Sequence, residues 1–181
     1  MTTSLEGPTP HPVGIAVLTV SDTRTVDTDT SGDLLIERVQ TAGHTLVARQ
    51  LCPDDPQTIR ALVTNWCDDS GVDVVLSTGG TGLTGRDSTT EVFEGLYVKK
   101  IPGFGELFRT LSYAEIGSST INSRASGGLS SGTLLFCLPG STGACRLAWD
   151  GILHEQLDVR TRPCNLVQLM PRFEEVSKQG H

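Results

Sequence analysis

The feature that most constrains the fold is an alternation of buried strands and amphipathic helices along the first half of the chain. Residues 13–20 (VGIAVLTV) form a nearly continuous apolar, β-branched run, which is typical of a strand buried on both faces. Apolar residues at helical spacing then predict a helix that ends at Gly43, and alternation over 44–51 predicts a second strand. A helix over about 59–70 and a strand over 72–77 follow. The first half therefore predicts a β-α-β-α-β order.

The second half continues with shorter elements. A short helix is predicted near 89–96, an edge segment over 97–101, a helix around 104–111 and a buried strand over 133–138 that turns into a further helix. Residues 118–132 are small, polar and Gly-rich, and their pattern assigns them no element. Strands that alternate with helices predict an α/β fold, a three-layer α-β-α arrangement around a mostly parallel central sheet.

The chain has 181 residues, a length that suits one compact domain. No internal repeat or linker divides it. We predict a single domain over 13–172, with a flexible N-terminal tail over 1–12 and a flexible C-terminal tail over 173–181.

Charge and cysteine content exclude several classes of protein. The formal charge of −7 argues against nucleic acid as a partner, because binding to a phosphate backbone requires a basic surface. The apolar run at 134–138 is far shorter than the roughly 20 residues of a membrane helix, and 1–12 lacks the features of a secretory signal. Five cysteines without a Cys-x-x-Cys spacing indicate a reduced chain. We therefore expect a cytoplasmic protein that is not bound to a membrane.

Polar or Gly-rich residues follow four of the predicted strands. The carboxyl ends of parallel strands meet at one edge of a sheet, where ligands bind. These residues, in chain order, are Ser21, Asp22, Asp54, Asp55, Thr78, Gly79, Gly80, Thr81, Gly82, Pro139, Gly140, Ser141 and Thr142. Their convergence predicts a ligand site at that edge.

Two of these loops, 79–82 and 139–142, are suited to an anionic ligand. A Gly-rich turn lets backbone N–H groups approach a phosphate closely, and the following helix adds a favourable dipole. The alternative is that glycine serves only to make tight turns, which is the weaker explanation when two loops share the pattern. Gly80, Gly82 and Gly85 match the spacing of a dinucleotide fingerprint, but they follow the third strand and lack the acidic residue that should come later.

The carboxylates Asp54, Asp55 and Asp87 point to a metal. Mg²⁺ is normally held by one or two carboxylates together with substrate phosphates, an arrangement that suits phosphoryl or nucleotidyl transfer. Simple helix capping is the alternative for Asp87, and an ordinary turn before a helix is the alternative for Asp54 and Asp55. Among the arginines, Arg86 and Arg124 are the best placed to contact an anion, and solvated surface charge is the alternative.

Several motifs, taken together and in order, resemble the molybdenum cofactor biosynthesis proteins of the MoaB/MogA type. The resemblance covers roughly 13–170, and segments 111–118 and 160–165 are closer to the MoaB branch. The motifs are Val-Leu-Thr-Val-Ser-Asp (17–22), Asp-Thr-Ser-Gly (29–32), Pro-Asp-Asp (53–55), Thr-Gly-Gly-Thr-Gly-Leu-Thr (78–84), Arg86-Asp87, Pro-Gly-Phe-Gly-Glu (102–106), Ser123-Arg124-Ala125 and Leu138-Pro139-Gly140-Ser141.

This resemblance implies a molybdopterin-binding α/β domain that assembles as homotrimers or homohexamers. It also implies an enzyme that transfers AMP from Mg²⁺-ATP to the terminal phosphate of molybdopterin and releases pyrophosphate. Asp54 and Asp87 would then be the catalytic acids that organise Mg²⁺. The strand-end loops would bind the substrates, with Ser21, Asp22, Ser123 and Arg124 beside them.

One departure from the family pattern bears on activity. The active branch commonly has Val-Thr-Pro-Glu after the second acid, and here Ser88-Thr89-Thr90-Glu91 follows Asp87. Loss of the proline removes a rigid helix start. The alternative function is therefore a catalytically silent member of the same fold, which binds molybdopterin or a protein partner without turnover.

Overall fold

A six-stranded sheet lies at the centre of the computed structural model, which describes residues 9–173. Its strand order is β2-β1-β3-β6-β5-β4. β1, β2, β3 and β6 pair in parallel, whereas β5 and β4 add an antiparallel edge. The strands are β1 (Gly14–Val20), β2 (Thr45–Cys52), β3 (Val74–Thr78), β4 (Lys99–Lys100), β5 (Ser126–Ser130) and β6 (Thr133–Leu138).

Helices cover both faces of this sheet. A π-helical turn, Trp149–Leu153, joins the last two α-helices, and 3-10 turns occupy Val26–Thr28, Gly117–Asn122 and Val167–Arg172. The α-helices are α1 (Thr30–Thr41), α2 (Pro56–Cys67), α3 (Thr89–Glu94), α4 (Pro102–Ile116), α5 (Thr142–Ala148) and α6 (His154–Gln156). Among the described residues, none of the helices combines the length and the apolar character that a membrane span requires.

The core lies on both faces of the sheet because side chains alternate along each buried strand. Leu76 and Phe136 face one layer, where they cluster with residues of α1, α4 and α5. Val75 and Leu135 face the other layer, formed by α2 and α3. This arrangement confirms the predicted three-layer α/β fold with a mostly parallel sheet.

The main difference from the sequence prediction is β5, which lies within the segment 118–132 that had no assigned element. Its sequence, SGGLS, has little strand propensity, and pairing with β6 defines it. Glycine is required there because a Cβ on Gly128 would lie 2.3 Å from Cγ of Tyr97. The residues 1–8 and 174–181 of the expected tails lie outside the described residues, so the domain limits stay a prediction.

A buried carboxylate, Asp29, joins β1, β2 and α1. It is 1% exposed and caps α1 by accepting a hydrogen bond of 2.9 Å from the backbone N–H of Gly32. Thr19 Oγ1 of β1 donates to it over 2.7 Å, and Arg49 Nη2 of β2 donates over 3.1 Å. This single group therefore fixes the start of α1 against the sheet.

We expect Asp29→Ala to lower the free energy of unfolding by about 2–3 kcal/mol, because it removes a helix cap and leaves buried donors without an acceptor. Urea denaturation followed by circular dichroism measures the change. Asp27→Ala, at an exposed acidic position in the neighbouring 3-10 turn, is the matched control and should leave the midpoint unchanged. Equal stability of the two variants would contradict the role given to Asp29.

Candidate functional site

The polar loops predicted to converge do meet at one edge of the sheet. The backbone N–H of Ser21 donates to Cys52 O over 2.9 Å, joining the ends of β1 and β2. The N–H of Gly79 donates to Leu138 O over 3.1 Å, and Thr78 Oγ1 donates to Pro139 O over 3.1 Å, joining β3 and β6. The loops that follow four parallel strands therefore form one continuous surface.

Glycine is a steric requirement where these loops touch. Gly79 has a φ of +96°, and a Cβ there would lie 2.1 Å from Val20 O. A Cβ on Gly140 would lie 3.2 Å from the Cα of Gly79. The backbones of the two Gly-rich loops are thus in contact with each other. Part of the glycine in these loops is therefore needed for this contact and not for binding a ligand.

The carboxylates of Asp54 and Asp87 lie against the loop after β3. Gly80 has a φ of +63°, and a Cβ there would lie 2.6 Å from Asp54 Oδ2. A Cβ on Gly82 would lie 2.5 Å from Asp87 Oδ2. The fold therefore brings both predicted catalytic acids to the same glycine-rich segment, although they come from loops after different strands.

Asp54 belongs to a network that ties three loops together. Its Oδ1 accepts hydrogen bonds from the N–H of Ser88 over 3.2 Å and from Ser88 Oγ over 2.7 Å. Its own N–H donates to Asp22 Oδ1 over 3.2 Å, and Asp22 Oδ2 lies 2.8 Å from Arg86 Nη2. Asp22 and Arg86, two predicted site residues, are therefore paired with each other.

Asp87 closes the tip of the loop. It accepts a hydrogen bond of 3.0 Å from the N–H of Thr84 and a short one from Thr84 Oγ1. The hydroxyl of Thr84 lowers the pKa of the Asp87 carboxyl by stabilising its ionised form. The capping alternative for Asp87 is not supported, because Ser88 occupies the N-cap position of α3.

Asp55, by contrast, is the cap of a helix. Its carboxylate accepts hydrogen bonds from Thr58 N over 2.7 Å and Thr58 Oγ1 over 2.6 Å at the start of α2. These bonds lower the pKa of the Asp55 carboxyl. Of the two neighbouring acids, only Asp54 contacts the loop after β3.

The guanidinium of Arg124 holds the 81–87 loop from the other side. Its Nε donates to Thr81 O over 2.9 Å, and Nη2 donates to Asp87 O over 3.4 Å. Both terminal nitrogens also pair with Glu91 of α3. The sequence analysis expected Arg124 to contact an anion and did not predict its pairing with Glu91.

The loop 139–142 is held by Arg24, which lies between β1 and α1, and by the first turn of α1. Arg24 Nη2 and Ser31 Oγ each donate to Gly140 O over 3.0 Å. Thr142 Oγ1 lies 3.0 Å from Thr30 Oγ1, and Ser141 caps α5 by accepting from Ala144 N over 3.1 Å. The sequence analysis ranked Arg24 below Arg86 and Arg124 and did not connect α1 with this loop.

The remaining predicted site residues take different positions. Ser21 Oγ accepts from Arg24 N over 3.1 Å and so stabilises its own turn. Thr78 is fully buried beneath the loops. Ser123 lines a cavity of about 130 Å³ together with Pro139 and Ser141, which places it beside the second loop.

The acids fit a magnesium ion shared with a ligand better than an ion held by protein alone. In the part of the chain that the structure describes, no three His, Cys, Asp or Glu side chains are grouped to hold a metal. Two carboxylates beside a glycine-rich loop fit the donor set that Mg²⁺ takes when the phosphates of a ligand complete its shell. The residues present therefore fit the ion that the sequence analysis expected.

The fold and this site define an α/β protein with a glycine-rich, acid-flanked candidate site at the carboxyl edge of its parallel strands. Comparison with known proteins identifies the family. The family described as a probable molybdopterin binding domain matches residues 16–159, most of the chain. The chain belongs to the MoaB-like family of molybdenum cofactor biosynthesis proteins.

Individual relatives agree with this assignment. The chain is 49% identical to molybdenum cofactor biosynthesis protein B of Escherichia coli strain K12 over 154 residues, covering 85% of this chain and 91% of that protein. Identity to the Bacillus subtilis protein of the same name is 44% over 149 residues, covering 82% and 88%. A crystal structure of a molybdenum cofactor biosynthesis protein B superposes with a TM-score of 0.83 at 40% identity, covering 93% and 99%.

We expect Gly79→Ala to lower the free energy of unfolding by about 2 kcal/mol or more, because it forces a Cβ into a left-handed conformation and against Val20 O. Gly85→Ala is the matched control in the same loop, since nothing lies within 4 Å of a Cβ there. Thermal and urea unfolding of the two variants measure the difference. A Gly79→Ala variant as stable as Gly85→Ala would contradict the tight packing of the loops.

Proposed function

We propose that this protein transfers AMP from Mg²⁺-ATP to the terminal phosphate of molybdopterin. The observation that carries the proposal is the placement of Asp54 and Asp87 against one glycine-rich loop, with Asp54 Oδ2 facing Gly80 and Asp87 Oδ2 facing Gly82. Carboxylates beside a phosphate-binding loop repel the ligand unless a cation lies between them, and this requirement points to a Mg²⁺-nucleotide substrate.

The reaction balances without a strong base. An oxygen of the molybdopterin phosphate attacks the α-phosphorus of ATP, a new P–O bond forms, and the bond to the β-phosphate breaks to release pyrophosphate. A phosphate nucleophile is already ionised at neutral pH, which fits a site built from Asp54, Asp87 and backbone groups. Bound Mg²⁺ supplies charge neutralisation to the phosphates during this transfer.

The residues of the chain contribute mainly by position. Ser88 fixes one oxygen of Asp54, and Thr84 fixes one oxygen of Asp87, so both acids are preorganised before substrate arrives. Positioning and charge complementarity account for most of the catalysis in phosphoryl transfer, so fixed acids are the contribution that this chemistry requires.

The two Gly-rich loops would bind the substrates. Residues 79–82 come close to 139–142 at the ends of β3 and β6, so a ligand with separated phosphate groups can contact both. Backbone N–H groups in such turns recognise phosphate oxygens. Ser123, beside the second loop, lies where it could contact the molybdopterin.

Self-association as a trimer or hexamer in the cytoplasm is part of this proposal. Three apolar side chains near the end of α4 are exposed by 63% (Tyr113), 51% (Ile116) and 82% (Ile121). Exposed apolar patches of this kind are common at protein interfaces. Sedimentation of the purified protein tests this assembly.

Incubation of the protein with molybdopterin and Mg²⁺-ATP should release pyrophosphate, and Asp87→Ala should lower the rate by about a hundredfold or more. A coupled pyrophosphate assay measures the rate. Asp68→Ala, at an exposed acid after α2, is the control and should retain the wild-type rate. A wild-type rate no higher than that of Asp87→Ala would overturn the enzymatic proposal.

A catalytically silent member of the family is the second candidate. It is favoured by the helix start Ser88-Thr89-Thr90-Glu91, which lacks the proline of the active pattern. This candidate predicts that molybdopterin or a protein partner binds without pyrophosphate release. Calorimetric titration of molybdopterin in the presence and absence of Mg²⁺-ATP separates binding from turnover.

A further inference from the structure

The side chain of Ser88 forms a hydrogen bond that is unusual for its position in the helix. It occupies the N-cap position of α3, where a serine side chain ordinarily accepts a hydrogen bond from the first turn of the helix. Here its side chain makes no capping bond. Its hydroxyl donates instead to Asp54 Oδ1 over 2.7 Å, and its N–H donates to the same oxygen over 3.2 Å. The side chain of Ser88 therefore bonds to the loop after β2 and not to the first turn of its own helix.

These two hydrogen bonds determine the orientation of the Asp54 carboxylate. Both donors hold Oδ1, and among the described residues none donates a hydrogen bond to Oδ2. Oδ2 lies 2.6 Å from the point where a Cβ on Gly80 would stand, so it faces the glycine-rich loop. One oxygen is thus anchored by the protein and the other is directed to the candidate site.

A second polar group converges on the same point. Thr89 Oγ1 lies 2.2 Å from the position of a Cβ on Gly80. Thr89 is fully buried, and this oxygen has no hydrogen-bond partner among the described residues. A buried hydroxyl without a partner is costly, and a ligand that bonds to it would remove that cost. The start of α3 is therefore arranged around Asp54 and Gly80.

The helix start is also anchored on its other side. Thr90, at the position where the active family pattern has proline, donates from Oγ1 to Arg124 O over 3.3 Å. Ser88 and Thr90 are the two residues that depart from that pattern, and each forms a side-chain hydrogen bond to a separate segment of the site. Side-chain contacts thus supply the restraint that a proline ring supplies through its fixed φ.

We propose that Ser88 is a positioning residue for Asp54, which fixes the carboxylate through Oδ1 so that Oδ2 faces the ligand loop. The catalytic meaning of this contact rests on the proposed adenylyl transfer. The contact itself is a property of the ligand-free protein and can be tested without any substrate.

The first test is hydrogen exchange in the ligand-free protein, followed by NMR. Ser88→Ala removes the hydroxyl donor, and we expect the amides of residues 88 and 89 to exchange about tenfold faster, after correction for intrinsic rates. Ser88→Thr keeps a hydroxyl and should recover most of the protection. Ser119→Ala, at an exposed serine in the 3-10 turn after α4, is the control and should leave these amides unchanged.

The second test is turnover with molybdopterin and Mg²⁺-ATP. Ser88→Ala should lower kcat about tenfold with little change in the KM for molybdopterin, because it disturbs the acid and leaves the other loop intact. Ser88→Thr should restore most of the rate, and the thermal midpoints of all variants should agree closely.

The outcomes separate the two proposals. Unchanged exchange in Ser88→Ala would overturn the positioning role, whatever the enzyme does. Faster exchange with an unchanged kcat in an active enzyme would also overturn it, because the contact would then be structural only. Faster exchange in Ser88→Ala, combined with a wild-type protein that releases no pyrophosphate, would support the contact and reject adenylyl transfer.

Discussion

Parallel pairing of β1, β3 and β6 is the constraint on which the rest of the structure depends. Their shared register brings the ends of the strands together, so that Val20, Gly79 and Gly140 pack backbone against backbone. A Cβ on Gly79 would clash with Val20 O and one on Gly140 would press against Gly79, which explains why glycine is concentrated there. The closeness of the two Gly-rich loops, and with it the possibility of one ligand contacting both, follows from this packing.

Charged side chains hold the loops in this arrangement. Arg124 binds the loop after β3, Arg24 binds the loop after β6, and Asp22 links the loop after β1 to Asp54. Several charged side chains that were predicted to contact a ligand therefore form hydrogen bonds within the protein. Asp54 Oδ2 is different, because it faces the loop without a donor among the described residues, and a shared cation is the natural partner for such an oxygen.

The fold could be predicted from local patterns because strands such as Val74–Thr78 are buried on both faces and are apolar throughout. β5 could not, since its glycines have little strand propensity and pairing with β6 defines it. For the candidate site, residue type and position singled out Asp54, Asp55 and Asp87, and the family resemblance implied the roles of Asp54 and Asp87. The distinction between Asp54 and Asp55 depended on which carboxylate reaches Ser88 and which caps α2.

The sequence by itself determined the layer architecture, the edge of the sheet that carries the loops and, through its motifs, the family. These properties depend on hydrophobic periodicity and on short motifs, both of which are local in the chain. Only the tertiary structure decided which polar groups pair with each other. The bond between Ser88 and Asp54 joins residues 34 positions apart, and contacts of that range depend on how the strands align in space.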